Sequence, residues 1–159
     1  MNEPRKSVTI YTDGGCRPSN PGPGGYGVVM VFNGHRRELS GGYRLTTNNR
    51  MELTAAIRAI ESLKEPCDVQ LFSDSQYVVN GISKGWAKNW RSKGWKKSSG
   101  GMAENTDLWA TLLDLCDGHR VSFEWVRGHS GHPENERCDE LAGEAASQPN
   151  LPRDVIYER

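Results

Sequence analysis

The sequence predicts a single α/β domain built on a mixed β-sheet, and three observations carry that reading. Five short segments have strand composition. The first three follow one another through turns, as antiparallel neighbours do, while the later ones alternate with segments of helical period, as crossovers to parallel strands require. A chain of 159 residues also suits one hydrophobic core.

Ser7 to Thr12 is the first strand, apolar at Val8 and Ile10 and closed by Asp13-Gly14-Gly15. The cluster GGCRPSNPGPGG that follows reads as loop, because proline and glycine oppose both helix and ladder. Tyr26 to Phe32, YGVVMVF, is the second strand, and Asn33-Gly34 is a hairpin signal that returns the chain along Arg36 to Tyr43. In TTNNRMELTAAIRAIESLK, Thr47, Asn48 or Asn49 can cap a helix whose Leu53, Ala56, Ile57, Ile60 and Leu63 recur at helical spacing. Glu65-Pro66 ends it. Val69 to Ser73 is a buried strand finishing on Asp74, and a helix starts near Ser75 and runs toward Ile82. Thr106 to Leu115 is a helix with Leu108, Trp109, Leu112 and Leu113 inward, and Val121 to Val126 is the fifth strand. Pro133 suits the first turn of a last helix, with His132 in the cap position, Glu134 and Glu136 at its positive end, and Cys138, Leu141, Ala142 and Ala145 as its buried stripe. Residues 1–148 thus form one domain, and the tail 149–159, with two prolines, is expected to be loosely attached.

A mean hydropathy of −0.70 and the lack of any run of about 20 apolar residues exclude a membrane-spanning helix. The N-terminus has no cleavage-site pattern, so cytoplasmic residence is the default expectation. Cys16, Cys67, Cys116 and Cys138 form no CxxC pair, which fits reduced thiols rather than disulfides or zinc. Lysine plus arginine equal aspartate plus glutamate at 20 each, which speaks against a polyanionic partner until the charge is mapped. Residues 1–97 carry 15 basic and 8 acidic side chains, whereas residues 98–159 carry 5 and 12. The neutrality is a cancellation.

Four acids draw attention. Asp13 and Asp74 each end a strand, and functional groups in open α/β sheets gather beyond the carboxyl ends of parallel strands. Were those strands neighbours, the two carboxylates would meet and suit magnesium, which takes oxygen ligands. Glu52 lies at the edge of the apolar stripe near Ala56 and Ala59, and Asp139 shares a face with Ala142 and Ala146. Each also has a plainer reading: a turn former at Asp13, a capping partner of Asn49 at Glu52, a helix cap at Asp74 and a solvated face at Asp139.

The strings TDGGC, NPGPGGYG, TTNNRMEL, SDSQYV and GHSGHPENERCDELA, in this order from Thr12 to Ala142, resemble bacterial ribonuclease HI of the type 1 ribonuclease H family. That resemblance implies a ribonuclease H-like fold, a five-stranded mixed sheet with helices on both faces. It implies that Asp13, Glu52, Asp74 and Asp139 bind two divalent cations, Mg2+ with Mn2+ as a substitute, and that the RNA strand of an RNA/DNA hybrid is hydrolysed to 5′-phosphate and 3′-hydroxyl ends. His129 takes the family's position for proton transfer or product release. Cys16, Asn20, Asn48, Asn49 and Gln76 fall on positions that read the hybrid's minor groove, where the 2′-hydroxyl marks RNA. Thr47 and Asn105 match positions that grip a DNA-strand phosphate, whereas Leu45 stands where some members have Arg. The stretch CRPSN is one residue longer than the usual spacing.

KGWAKNWRSKGWKK, residues 84–97, holds Lys84, Lys88, Arg91, Lys93, Lys96 and Lys97, no acid, and three of the chain's five tryptophans. Trp86 and Trp90, four apart, fall on one helix face and can form a small satellite core. By resemblance the segment is a basic protrusion for the DNA strand, with Trp86 packing on a deoxyribose and Trp90 and Trp95 mainly structural. The expected protein is a monomer with no obligatory protein partner. Other readings are a non-catalytic hybrid-binding module and an integrase- or resolvase-type nuclease of the same fold.

Overall fold

A computed structural model describes residues 5–128 and 131–159. The chain runs β1 (Lys6–Cys16), β2 (Gly22–Phe32), β3 (His35–Thr46), α1 (Asn48–Glu61), β4 (Cys67–Ser73), α2 (Gln76–Ser83), α3 (Trp86–Ser92), α4 (Thr106–Asp117), β5 (Arg120–Trp125) and α5 (Pro133–Ala146). The strands form one sheet in the order β3-β2-β1-β4-β5. β1 to β3 pair antiparallel, and β4 pairs parallel with both β1 and β5. This is the mixed sheet expected from the hairpin start and later crossovers.

Alternation along the strands divides the core between two faces. Ile10, Val28 and Leu71 face the layer of α1, α2 and α4, where Leu53, Ile57, Ile60, Val78, Trp109 and Leu112 bury their side chains. On the other face Val29 packs with Cys138 and Leu141 of α5. Helices therefore cover both faces.

The Gly/Pro cluster is not the continuous loop expected. β1 continues through Gly14, Gly15 and Cys16, which pair with Tyr26, Gly25 and Gly24 of β2, so only residues 17–21 lie between the two strands. A register shift between Gly22 and Gly24 accommodates Pro23, whose carbonyl accepts from the Arg17 N–H at 2.9 Å. The glycines serve close approach. A Cβ on Gly14 would strike the Met51 and Glu52 backbone, and one on Gly27 would strike the Cys138 carbonyl and lie 2.7 Å from the Leu141 Cβ. Gly27→Ala is accordingly expected to push α5 off β2 and cost about 1–3 kcal/mol, the usual range for overpacking. Chemical denaturation would read this as a lower midpoint with an unchanged slope, and an unaltered midpoint would contradict the close packing.

The hairpin has positive φ at both turn residues, 46° at Asn33 and 78° at Gly34, as a two-residue type I′ turn demands. Thr47 caps α1 by accepting from the Arg50 N–H, so neither Asn48 nor Asn49 is the cap. Ser75, rather than Asp74, caps α2 through the Val78 N–H. His132 occupies the cap position of α5 with Pro133 following, but its side chain makes no capping bond.

The tail is fastened rather than loose. Asp154 is buried and accepts from the Thr46 hydroxyl at 2.7 Å and from Arg50 Nε at 2.7 Å. Pro152 accepts from the Arg44 N–H, and Glu158 accepts from the Arg44 guanidinium. Both prolines fit because this segment is held by side-chain ion pairs, the Thr46 hydroxyl and one backbone carbonyl, that of Pro152, not by a ladder that needs every N–H.

Candidate active site

The parallel pairing of β1 with β4 places Thr12 opposite Ser73. The next residue of each strand is an acid, so Asp13 and Asp74 emerge side by side at the carboxyl edge of the sheet. Glu52 arrives from the second turn of α1, which lies close enough to β1 that only glycine fits at position 14. Carboxylate oxygens of Asp13, Glu52 and Asp74 lie within 4.8 Å of one another. The plainer readings of Glu52 and Asp74 fall away, since Thr47 and Ser75 do the capping.

Three anions this close cannot all be comfortable in a partly desolvated pocket. Burial, then the neighbouring Asp74 charge and a hydrogen bond with Asp139, push the Asp13 carboxyl up to about 8, against a single bond from the Gly14 N–H. Glu52 is driven well above the usual carboxylate range by burial first and by Asp13 and Asp74 next. Its Oε1 is buried with no hydrogen-bond partner. An orphaned acceptor in an all-oxygen cluster is what a hard divalent cation would satisfy.

Asp139 stands at the side of this group. It adds to the upward push on the Asp13 carboxyl, and its Oδ1 accepts from Arg17 Nη2 at 2.5 Å. Sequence reasoning did not pick out Arg17, a loop residue 122 positions from its partner. The Asp74 carbonyl accepts from Trp125 Nε1 at 3.1 Å, and a Cβ on Gly128 would lie 2.9 Å from Asp74 Oδ2, so the chain after β5 runs beside the cluster. His129, expected at this site from the sequence, lies outside the described residues.

The expected substrate contacts fall into two groups. Asn48 Oδ1 accepts from the Cys16 N–H at 2.7 Å, and the Asn48 N–H donates to Asn20 Oδ1 at 3.0 Å, tying the loop after β1 to the first turn of α1. Asn20, Thr47, Asn48, Asn49 and Asn105 line one cleft of about 430 Å³, together with Glu104 and the tail residue Tyr157. Gln76 is exposed at the first position of α2. Asn105 adopts a left-handed conformation at φ 57° and bonds to the Tyr77 hydroxyl and to Arg50. Arg50, also missed from sequence, organises this corner.

The basic segment is a second site. Trp86 is 41% exposed at the start of α3, with Lys84 Nζ 5.5 Å from its ring centre. Trp90 instead packs edge-on against buried Trp109, with ring centres 6.1 Å apart, and Trp95 is half-buried against the core. Trp86 is the tryptophan of this segment that faces solvent. Lys84, Lys88, Lys93 and Lys96 are exposed, while Arg91 pairs with Asp114.

The ribonuclease H family profile matches residues 5–147. The chain belongs to the ribonuclease H family. Among similar proteins, Ribonuclease H of Desulforamulus reducens is 63% identical over 98% of this chain and 97% of its own length. Ribonuclease H of Rippkaea orientalis is 58% identical over 99% of this chain and 96% of its own. Of solved structures, LC9-RNase H1, a type 1 ribonuclease H with a type 2 active-site motif, superposes with a TM-score of 0.82 at 34% identity over 92% of this chain and 74% of that one. LC11-RNase H1, solved in complex with an RNA/DNA hybrid, gives 0.66 at 29% identity over 87% and 96%. This ribonuclease H-family chain therefore has its acid cluster at the carboxyl edge of a family sheet. Among its described residues no helix is long and apolar enough to cross a membrane.

Proposed function

We propose that the chain is an endoribonuclease that hydrolyses the RNA strand of RNA/DNA hybrids, using two divalent cations and leaving 5′-phosphate and 3′-hydroxyl ends. The observation that carries this reading is the Asp13–Glu52–Asp74 cluster with its orphaned Glu52 oxygen, supported by family membership. Asp13, Glu52, Asp74 and Asp139 hold the cations, and their all-carboxylate donor set suits Mg2+, with Mn2+ able to substitute. When bound, such ions neutralise charge on the scissile phosphate and lower the pKa of an attacking water. His129 moves a proton or eases product release, a task suited to an imidazole.

The protein's own groups do the rest. Cys16, Asn20, Asn48, Asn49 and Gln76 meet the minor groove, where amides answer both the donor and the acceptor of a 2′-hydroxyl. Thr47 and Asn105 hold a DNA-strand phosphate through neutral donors. Lys84, Lys88, Arg91, Lys93, Lys96 and Lys97 attract the duplex, and Trp86 lies against a sugar. The domain of residues 1–148, with the tail 149–159 fastened to it, acts as a monomer in the cytoplasm.

The test is cleavage of labelled RNA/DNA hybrid, duplex RNA and duplex DNA, each with Mg2+ and with EDTA. Hybrid cleavage that needs Mg2+ is the expected result. Comparable cleavage of duplex DNA would favour an integrase- or resolvase-type nuclease, and hybrid binding without cleavage a non-catalytic module. Trp86→Ala is expected to raise KM for the hybrid roughly fivefold, the equivalent of about 1 kcal/mol, with kcat little changed. A fall in kcat at constant KM would place Trp86 elsewhere in the reaction.

A further inference from the structure

Arg17 and Asp139 form a pair that the proposed reaction does not use, and the helix beneath them is shaped for it. Asp139 and Gly143 lie one turn apart on the same face of α5. Glycine inside a helix is unfavourable relative to alanine, so its presence asks for a reason. The three nearest atoms to a Cβ built on Gly143 all belong to the Arg17 guanidinium, the closest being Nη1 at 2.5 Å. Glycine leaves the space in which that guanidinium lies across α5, and there Nη2 donates to Asp139 Oδ1. Among the described residues, the acids close enough together to share one ion are Asp13, Glu52 and Asp74, without Asp139.

We infer that Arg17 is a resident counter-ion of Asp139, seated over Gly143, which a divalent cation displaces before it gains Asp139 as a ligand. Both partners are partly open to solvent, with side-chain exposures of 53% and 32%, so the exchange needs no unfolding. Arg17 balances the acid cluster before cations arrive and raises the cation concentration needed to fill it. An ion pair this exposed is weak, which sets the effect at about two- to fivefold in cation affinity. The inference rests on the reading of the four acids as a cation site.

Calorimetric titration of the nucleic-acid-free protein with Mn2+ tests it without reference to activity. Arg17→Ala is expected to tighten binding about two- to fivefold. Gly143→Ala keeps the positive charge but fills its seat, and is expected to tighten binding to a similar degree. In an Asp139→Asn background, Arg17→Ala is expected to change nothing. Equal tightening by Arg17→Ala in both backgrounds would reduce Arg17 to a general charge effect and overturn the pairing, as would unchanged affinity in both single variants. Wild type that binds no Mn2+ would overturn the cation-site reading, and this inference with it. Binding by wild type without the variant effects would overturn this inference alone.

Discussion

Asp13→Asn is expected to abolish hybrid cleavage, by roughly a thousandfold or more, and at the same time to raise the melting temperature of the metal-free protein. The first effect follows if the carboxylate holds a cation at the scissile phosphate, since stabilising charge there is worth several kcal/mol. The second follows from the geometry alone. Asp13 sits within 4.8 Å of Glu52 and Asp74, and its carboxyl is pushed up to about 8. An unfolded aspartate titrates near 3.9. Between those two values the native state holds a proton that the unfolded state has released, so stability declines as pH rises from about 4 to about 8 and levels off above.

Asparagine does not ionise and escapes that decline. A displacement of four pH units is worth about 5 kcal/mol at its limit, and because the acids titrate as a set, about 2–3 kcal/mol is a fair share for one of them. At roughly 2–4 °C per kcal/mol for a chain of this size, the variant should melt about 4–12 °C above wild type in EDTA at pH 8, with the gap closing toward pH 4–5. Excess Mg2+ should narrow the gap from the other side, because it stabilises wild type by binding the native state. A variant that melts at or below wild type at pH 8 in EDTA would show that the cluster stores no repulsion.

The two features of this site differ in how they are written into the chain. Asp13 and Asp74 were legible because each reads as closing a strand; β1 in fact runs on to Cys16, but its parallel pairing with β4 stops at Thr12 and Ser73, and that step brings the two acids together. Glu52 was legible from its place at the edge of an apolar stripe. The glycines before and after Pro21 were misread as loop, because the rule that glycine breaks strands concerns local preference. What selects glycine at positions 14 and 25 is the backbone of helices met later in the chain, α1 for the first and α5 for the second. The partners of Arg17 and Arg50 were invisible for a related reason. Ion pairs spanning 122 and 104 residues leave no period, and an arginine next to a proline, as Arg17 is, looks like any solvated loop residue. The tail was misread on its prolines, when its buried anchor is an acid, Asp154, backed by the Arg44 bonds to Pro152 and Glu158.

That anchor makes Arg50→Ala the substitution with the largest expected effect on stability. Arg50 is 4% exposed, and its guanidinium spends every donor it has. Nε and Nη2 donate to Asp154, Nη1 and Nη2 to Asp107, and Nη1 to Asn105. Burial alone would raise the Asp107 carboxyl, but the Arg50 hydrogen bonds hold it below the usual range, so its contribution persists above about pH 4 and fades as acid protonates it. Removing the guanidinium leaves buried Asp154 with the Thr46 hydroxyl as its remaining side-chain donor. Breaking a buried pair from one side costs about 3–5 kcal/mol, or roughly 10 °C here. Arg50→Lys should recover only part of this, since three donors on one nitrogen cannot meet two carboxylates and an amide in the same plane. The loss should also reach the substrate cleft, because Arg50 lies in the first turn of α1 beside Thr47, Asn48 and Asn49 and holds Asn105 across from them. Faster amide exchange in residues 150–158 and a raised KM for the hybrid should therefore accompany the lower melting temperature. Exchange that stays slow in the tail would mean that Arg44 and its bonds to Pro152 and Glu158 suffice to hold it, and that Arg50 stabilises α1 and α4 alone.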